Sequence, residues 1–137
     1  MYLASVSENK DREKRIAVTP EIAKKYISLG FSLSLSNDYG SHLGFSDDQF
    51  KSLGVNLLGS DEEIIKNSNI IIQLGLLDDG KLSLLKENQT LIGSLNAFSN
   101  KEKLEKLKLK KINCFSLELL QELRERNQWI FYPHKQI

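Results

Sequence analysis

The densest run of ionisable side chains comprises Glu8, Asp11, Arg12, Glu13, Lys14 and Arg15, and it directly follows the apolar stretch Leu3 to Val6. Arg15 is the member best suited to hold a ligand. Its planar guanidinium can grip a carboxylate or a phosphate through two parallel N–H bonds. Ligands of open α/β sheets bind beyond the carboxyl ends of the strands, so a charged loop after a first strand lies on the ligand side. The competing reading is a solvated cluster of surface ion pairs.

Other candidates are weaker. Gly75-Leu76-Leu77-Asp78-Asp79-Gly80-Lys81 has most of a phosphate-binding loop, but Leu82 stands where Ser or Thr would hold magnesium. Asp78 and Asp79 would also set two carboxylates where triphosphate oxygens must sit. The segment reads as a polar turn before a short helix. No G-x-G-x-x-G occurs, so the usual pyrophosphate cradle is missing. His42, in Tyr39-Gly40-Ser41-His42-Leu43-Gly44, has no second His or carboxylate at a recognisable spacing and reads as a surface loop residue. Cys114 sits among apolar neighbours, as an inert buried thiol does. The lysines between Lys101 and Lys111 are interrupted by Glu102 and Glu105, which suits a solvated helix face better than a nucleic-acid patch. No G-x-S-x-G nucleophile elbow is present.

The elements that must position these residues follow from patterning. Leu3–Val6 predicts a first strand. Thr19 and Pro20 predict a helix start, with Ile22, Ala23, Tyr26, Ile27 and Leu29 on one face and Gly30 at its end. Phe31–Leu35 alternates with period two, as a strand does. Ser46 with Gln49, and Ser60 with Glu63, have capping-box spacing, and Phe45 with Phe50 has the spacing of a hydrophobic staple. Val55–Leu58 predicts a short strand, and the continuous run Ile70–Ile72 a strand buried on both faces. Thr90–Leu95 is a further strand. Ser99 and Glu102 predict the start of a helix running to about Lys110, and Ile112–Leu117 the last strand. Strands alternate with short helices throughout. That order predicts an α/β fold: a mostly parallel, Rossmann- or flavodoxin-like sheet with helices on both faces.

Composition agrees with one globular domain. The chain has 137 residues, net charge +1, 40% hydrophobic and 27% charged residues. Normal apolar content and small net charge argue against disorder, and the near balance of charge argues against a basic nucleic-acid binder. No run approaches the roughly 18 apolar residues of a membrane span. Met1–Val6 lacks the charged leader and apolar core of a secretory signal. A single Cys114 allows no intrachain disulfide and makes a cysteine-based metal site unexpected. These features predict a cytoplasmic α/β domain.

The stretch from Ser7 to Pro20 resembles the N-terminal signature shared by alanine dehydrogenases and the α subunit of proton-translocating NAD(P) transhydrogenases: a strand, a Glu, an Arg, then apolar-Ala-apolar-Thr-Pro. Tyr39-Gly40 to Gly44, then Phe45-Ser46-Asp47 and Gly54, continue the likeness, and Ser116-Leu117-Glu118-Leu119-Leu120 is similar to the segment closing the family's first lobe. The resemblance covers residues 1–120. Alanine dehydrogenases carry a Lys just after the fourth strand, where this chain has Ile72-Gln73-Leu74-Gly75-Leu76. They carry a catalytic His after the fifth, where it has Ser94-Leu95-Asn96-Ala97-Phe98. The transhydrogenase branch is therefore the better match, with an alanine dehydrogenase fragment or a non-catalytic flavodoxin-like module as alternatives.

What the resemblance implies is an oxidoreductase and translocase using NAD and NADP, with hydride passing between NAD(H) on this subunit and NADP(H) on a partner. Implied partners are the membrane and NADP-binding subunits and a second α subunit; nucleic acid binding and direct membrane insertion are not implied. The implied place is cytoplasmic and peripheral to the inner membrane. Arg15 matches the family's first-loop Arg and is the one expected cofactor- or substrate-facing residue; no catalytic residue and no metal ligand are expected.

Residues 121–137 depart from the family as protein, but not as codons. Trp129 must be TGG, and its third base followed by the AT of Ile130 gives Asp. With permitted codons, the segment from the last base of Leu120 onward reads Pro-Arg-Ile-Thr-Arg-Ala-Gln-Ser-Met-Asp-Ile-Leu-Ser-Ser-Gln, the transhydrogenase motif at the nicotinamide side of the NAD(H) site. The expectation is a frameshifted, prematurely ended subunit. Its 121–137 tail would be aberrant, Arg124 and Arg126 would be out-of-frame products, and its second, NAD-binding lobe would be absent. Such a chain alone is expected to bind no cofactor and to be inactive.

Overall fold

The computed structural model describes residues 1–118; the tail and the last two residues of the Ser116–Leu120 segment lie outside that range. Six parallel strands form one sheet in the order β3-β2-β1-β4-β5-β6. The strands are β1 (Tyr2–Ser5), β2 (Ser32–Ser36), β3 (Asn56–Leu58), β4 (Ile70–Ile72), β5 (Thr90–Gly93) and β6 (Asn113–Ser116). The helices between them are α1 (Pro20–Ser28), α2 (Asp47–Ser52), α3 (Asp61–Lys66), α4 (Asp79–Leu82) and α5 (Lys101–Leu109). The expected fold class holds.

The alternation of side chains along each strand splits the core in two. Leu3, Leu33 and Leu35 face one side, with Ala23 of α1 and Phe50 of α2. Ala4, Val6 and Ile71 face the other, with Ile64 and Ile65 of α3, Leu82 of α4 and Leu107 of α5. Burying both faces is why Ile70–Ile72 is an unbroken apolar run: Ile71 points one way, Ile70 and Ile72 the other.

Helix starts follow the hydroxyl signals. Thr19, Ser46 and Ser60 accept hydrogen bonds from Ile22, Gln49 and Glu63 N–H, at 3.3, 3.2 and 3.2 Å. The α5 start differs from expectation: Asn100, not Ser99, is its N-cap residue. Asn100 Nδ2 donates to the Leu95 and Asn96 carbonyls at 2.9 and 3.2 Å, which tightens the preceding turn and delays the helix by one residue. That turn begins at Gly93, where β5 stops short of the predicted Leu95. Among the described residues no helix is long and apolar enough to cross a membrane.

Candidate functional site

From β1 the sheet grows one way through β2 and β3, then the other way through β4, β5 and β6. This reversal leaves a crevice beyond the carboxyl ends of β1 and β4, the place where open α/β sheets bind ligands. A cleft of about 540 Å³ lies there, lined by residues following β1, β4 and β5, among them Glu8, Arg12, Gln73, Gly75 and Asn96.

Gln73, the first residue past β4, organises the floor of the cleft. Its side chain is 2% exposed, so all its polar capacity must be met internally. Oε1 accepts from Val6 N–H at 2.8 Å and from the Ser5 hydroxyl at 3.3 Å. Nε2 donates to the Val6 carbonyl at 3.0 Å and to Glu8 Oε2. One amide thus continues the β1–β4 pairing beyond the last backbone ladder bond and aims Glu8 into the cleft. Glu8 also accepts from Gly75 N–H at 3.1 Å and, more loosely, from Leu74 N–H at 3.4 Å. Burial raises the Glu8 pKa above its ordinary value, the Gly75, Leu74 and Gln73 bonds oppose the rise, and the charge of Glu13 adds to it.

Behind this pair the network reaches the first helix. Tyr39, 1% exposed, lies 2.7 Å from the Ser5 hydroxyl and accepts from Ala17 and Val18 N–H at 3.1 and 3.2 Å. Because Ser5 spends its one proton on Gln73, Tyr39 is the donor to Ser5. Burial pushes the Tyr39 pKa up, and so keeps that proton in place. The polar chain therefore runs from the entry of α1 through Tyr39, Ser5 and Gln73 to Glu8.

The remaining charges on the cleft walls are partly paired. Lys81 bridges to Asp61 at 3.1 Å and Lys103 to Asp79 at 3.2 Å. Arg12, exposed, has no ion-pair partner among the described residues. Arg15, the residue singled out by sequence, is not in the lining. Its guanidinium is 80% exposed and grips Glu13 with two bonds of 2.7 and 3.1 Å. Glu13 itself does line the cleft.

Asp78 accepts from Lys81 N–H at 2.9 Å and so caps α4, which explains why Gly75 to Lys81 does not form a phosphate cradle. His42 bonds the Lys14 carbonyl at 2.7 Å and ties the charged loop to the turn after β2. Cys114 is partly buried on β6, the outermost strand among the described residues, away from the crevice between β1 and β4, with its pKa raised by burial. Sequence reasoning did not single out Gln73 or Tyr39 as organisers of the site. A polar amide ending a triple-Ile run was the available signal for Gln73.

The donor set does not fit the pyrophosphate of a dinucleotide. A pyrophosphate needs a glycine-rich turn with free N–H groups after the first strand. Here the connection after β1 contains no glycine, and Glu8 sits in the crevice with Glu13, Asp78 and Asp79 around it.

Residues 5–137 match the family described as alanine dehydrogenase/PNT, N-terminal domain, a range that includes the 121–137 tail. The chain is 26% identical, over 88% of its length, to a NAD(P) transhydrogenase subunit alpha polypeptide of Rickettsia prowazekii, of which it covers 32%. It is 27% identical, over 88% of its length, to alanine dehydrogenase 1 of Staphylococcus aureus, of which it also covers 32%. It thus spans about a third of the length of these curated relatives. The crystal structure of the transhydrogenase from Sinorhizobium meliloti superposes with TM-score 0.79 at 19% identity, covering 87% of this chain and 35% of that one. The chain belongs to the alanine dehydrogenase/PNT N-terminal domain family.

Proposed function

We propose that this chain is the first lobe of the NAD(H)-side subunit of a NAD(P) transhydrogenase, which moves hydride between NAD(H) and NADP(H) coupled to proton translocation. The observation that carries the reading is the chemistry at the switch point. Past β4 the chain offers the Gln73 amide and the Gly75 backbone, and past β5 it offers Asn96, so the Lys and His of the alanine dehydrogenase branch have no equivalents at those two places. Hydride transfer between two nicotinamides needs positioning and exclusion of water, not an acid–base pair on the protein. An amide-lined floor held rigid by buried hydrogen bonds suits that task.

Because the cleft does not fit a pyrophosphate, NAD(H) belongs to a second lobe of the complete subunit. In this reading the present lobe closes over the nicotinamide end. Arg12 on the cleft wall, and Arg15 held beside it by Glu13, are the cations available to a cofactor or to that second lobe. The codon reading of residues 121–137 supports a change of frame after Leu120. The complete subunit would pair with a second copy and with membrane and NADP-binding subunits, peripheral to the inner membrane.

Three measurements test this. The nucleotide sequence of the gene should continue, in the shifted frame, into a G-x-G-x-x-G domain; a frame without one refutes the frame change. The frame-restored subunit, mixed with an NADP-binding transhydrogenase subunit, should catalyse reduction of an NAD analogue by NADPH. Alanine-dependent NAD reduction in its place would assign the alanine dehydrogenase branch, which the Staphylococcus aureus relative represents. Calorimetry on the 137-residue chain should detect no specific NAD(H) binding, and micromolar affinity would overturn the assignment of NAD(H) to a second lobe.

A further inference from the structure

We propose that the turn following β4 is a binding site for a small, singly charged oxyanion, and that Glu8 fills it as an intramolecular occupant. Three donors converge on one carboxylate: Gly75 N–H at 3.1 Å, Leu74 N–H at 3.4 Å and Gln73 Nε2. Successive backbone N–H groups turned toward one point form a concavity that selects anions. The third donor does not depend on Glu8 for its orientation, because Val6 and Ser5 fix the Gln73 amide from the other side. The cradle is therefore built into the sheet, while its occupant comes from the loop after β1.

Three features make the occupant exchangeable. Glu8 is a side chain with freely rotating torsions, so it can leave without moving the loop, which Ser7, Lys10 and Lys14 anchor to Ser36, Asp38 and His42. Burial disfavours its charged form, so release into water recovers part of what the three bonds are worth. Gly75 leaves the approach open: even a Cβ there would stand 3.6 Å from Glu8 Oε1. Arg12, which has no ion-pair partner among the described residues, supplies a cation at the wall, while Glu13, Asp78 and Asp79 disfavour multiply charged guests. The site thus selects a single negative charge. The inference concerns this chain's own cleft and stands whichever branch the complete subunit belongs to.

The test is a titration of the full chain with sodium acetate, read from the backbone amide resonances of Leu74 and Gly75. In Glu8→Ala the probe should shift both resonances and bind at least about tenfold more tightly than in the wild type, where it must compete with a tethered carboxylate at millimolar or higher effective concentration. Glu8→Gln, which keeps the shape and supplies a neutral acceptor, should fall between them; if Glu8→Ala does not fold, the order of Glu8→Gln and wild type decides. Equal affinity in all variants, or no response at Leu74 and Gly75, overturns the proposal. Sodium sulfate should bind more weakly than acetate, and tighter sulfate binding overturns the assignment of a single charge.

Discussion

Gly93→Ala is the sharpest perturbation the structure offers. A Cβ at Gly93 would stand 3.0 Å from the carbonyl carbon of Gln73, nearer still to its oxygen, and 3.3 Å from Leu95 Cδ2. Optimal carbon–carbon separations are about 3.5–4.0 Å, so the neighbour must retreat by at least about half an ångström. The neighbour is backbone, and it is pinned on both sides: Gln73 N–H donates to the Ile92 carbonyl at 2.8 Å, and Ser94 N–H to the Leu74 carbonyl at 3.0 Å. Overpacking of this kind costs about 1–3 kcal/mol. Weakening the two flanking bonds adds about 0.5–1.5 kcal/mol each. The expected loss is about 3 kcal/mol, or roughly a hundredfold in the folding equilibrium, and about 10 °C in Tm for a chain of this size. Urea unfolding followed by far-UV circular dichroism measures it, with an unchanged slope marking a true stability change. Gly59→Ala is the control, since among the described residues its Cβ would meet only the Asn37 amide nitrogen, at 3.3 Å and at the end of a flexible side chain. If Gly93→Ala lies within about 1 kcal/mol of the wild type, or no lower than Gly59→Ala, the close approach of β4 and β5 does not constrain the site as argued.

Two further outcomes test the polar chain. Tyr39→Phe keeps the edge-on packing against Phe50 but removes the bond that Ser5 accepts and strands two N–H groups. It should cost about 2–3 kcal/mol and speed hydrogen exchange at Ala17 and Val18 at least tenfold; unchanged exchange would remove Tyr39 from its anchoring role. The raised Glu8 pKa means that the folded state holds this proton more tightly than the unfolded chain does. Its stabilising contribution is therefore complete below the ordinary glutamate pKa and is lost as pH rises through the folded value. Glu8→Gln should gain stability relative to wild type across that window, and a difference that is flat or of opposite slope would contradict the burial argument.

The fold was legible because it rests on local chemistry. Hydroxyls at Thr19, Ser46 and Ser60 cap the helices that follow them, and Ile70–Ile72 advertises two covered faces. The charged loop was also legible as lying beyond the carboxyl end of the first strand, and its residues Glu8, Arg12 and Glu13 line the cleft there. The wiring of the site was not. Gln73 meets Val6 across 67 positions of sequence, and Tyr39 meets Ser5 across 34, so neither pattern exists until the sheet has formed. Arg15 shows the converse: its chemistry singled it out, yet Glu13 two positions away satisfies the same guanidinium locally and holds it in solvent. The missed α5 start has the same cause, because Asn100 is recruited by carbonyls of a turn that periodicity does not reveal.

The central place of β1 has a kinetic consequence. All strand pairs in the sheet are parallel, so none can form as a hairpin, and each must wait for a full crossover. The earliest of the six strands to be synthesised is also one that needs partners on both edges, and its second partner begins only at Ile70. Until then Leu3 and Ala4 offer an unpaired apolar edge to whatever lies nearby. Folding of this domain is governed by long loop closures, which places it on the slow side for its length and makes the nascent chain, rather than the finished sheet, the form most exposed to misassembly.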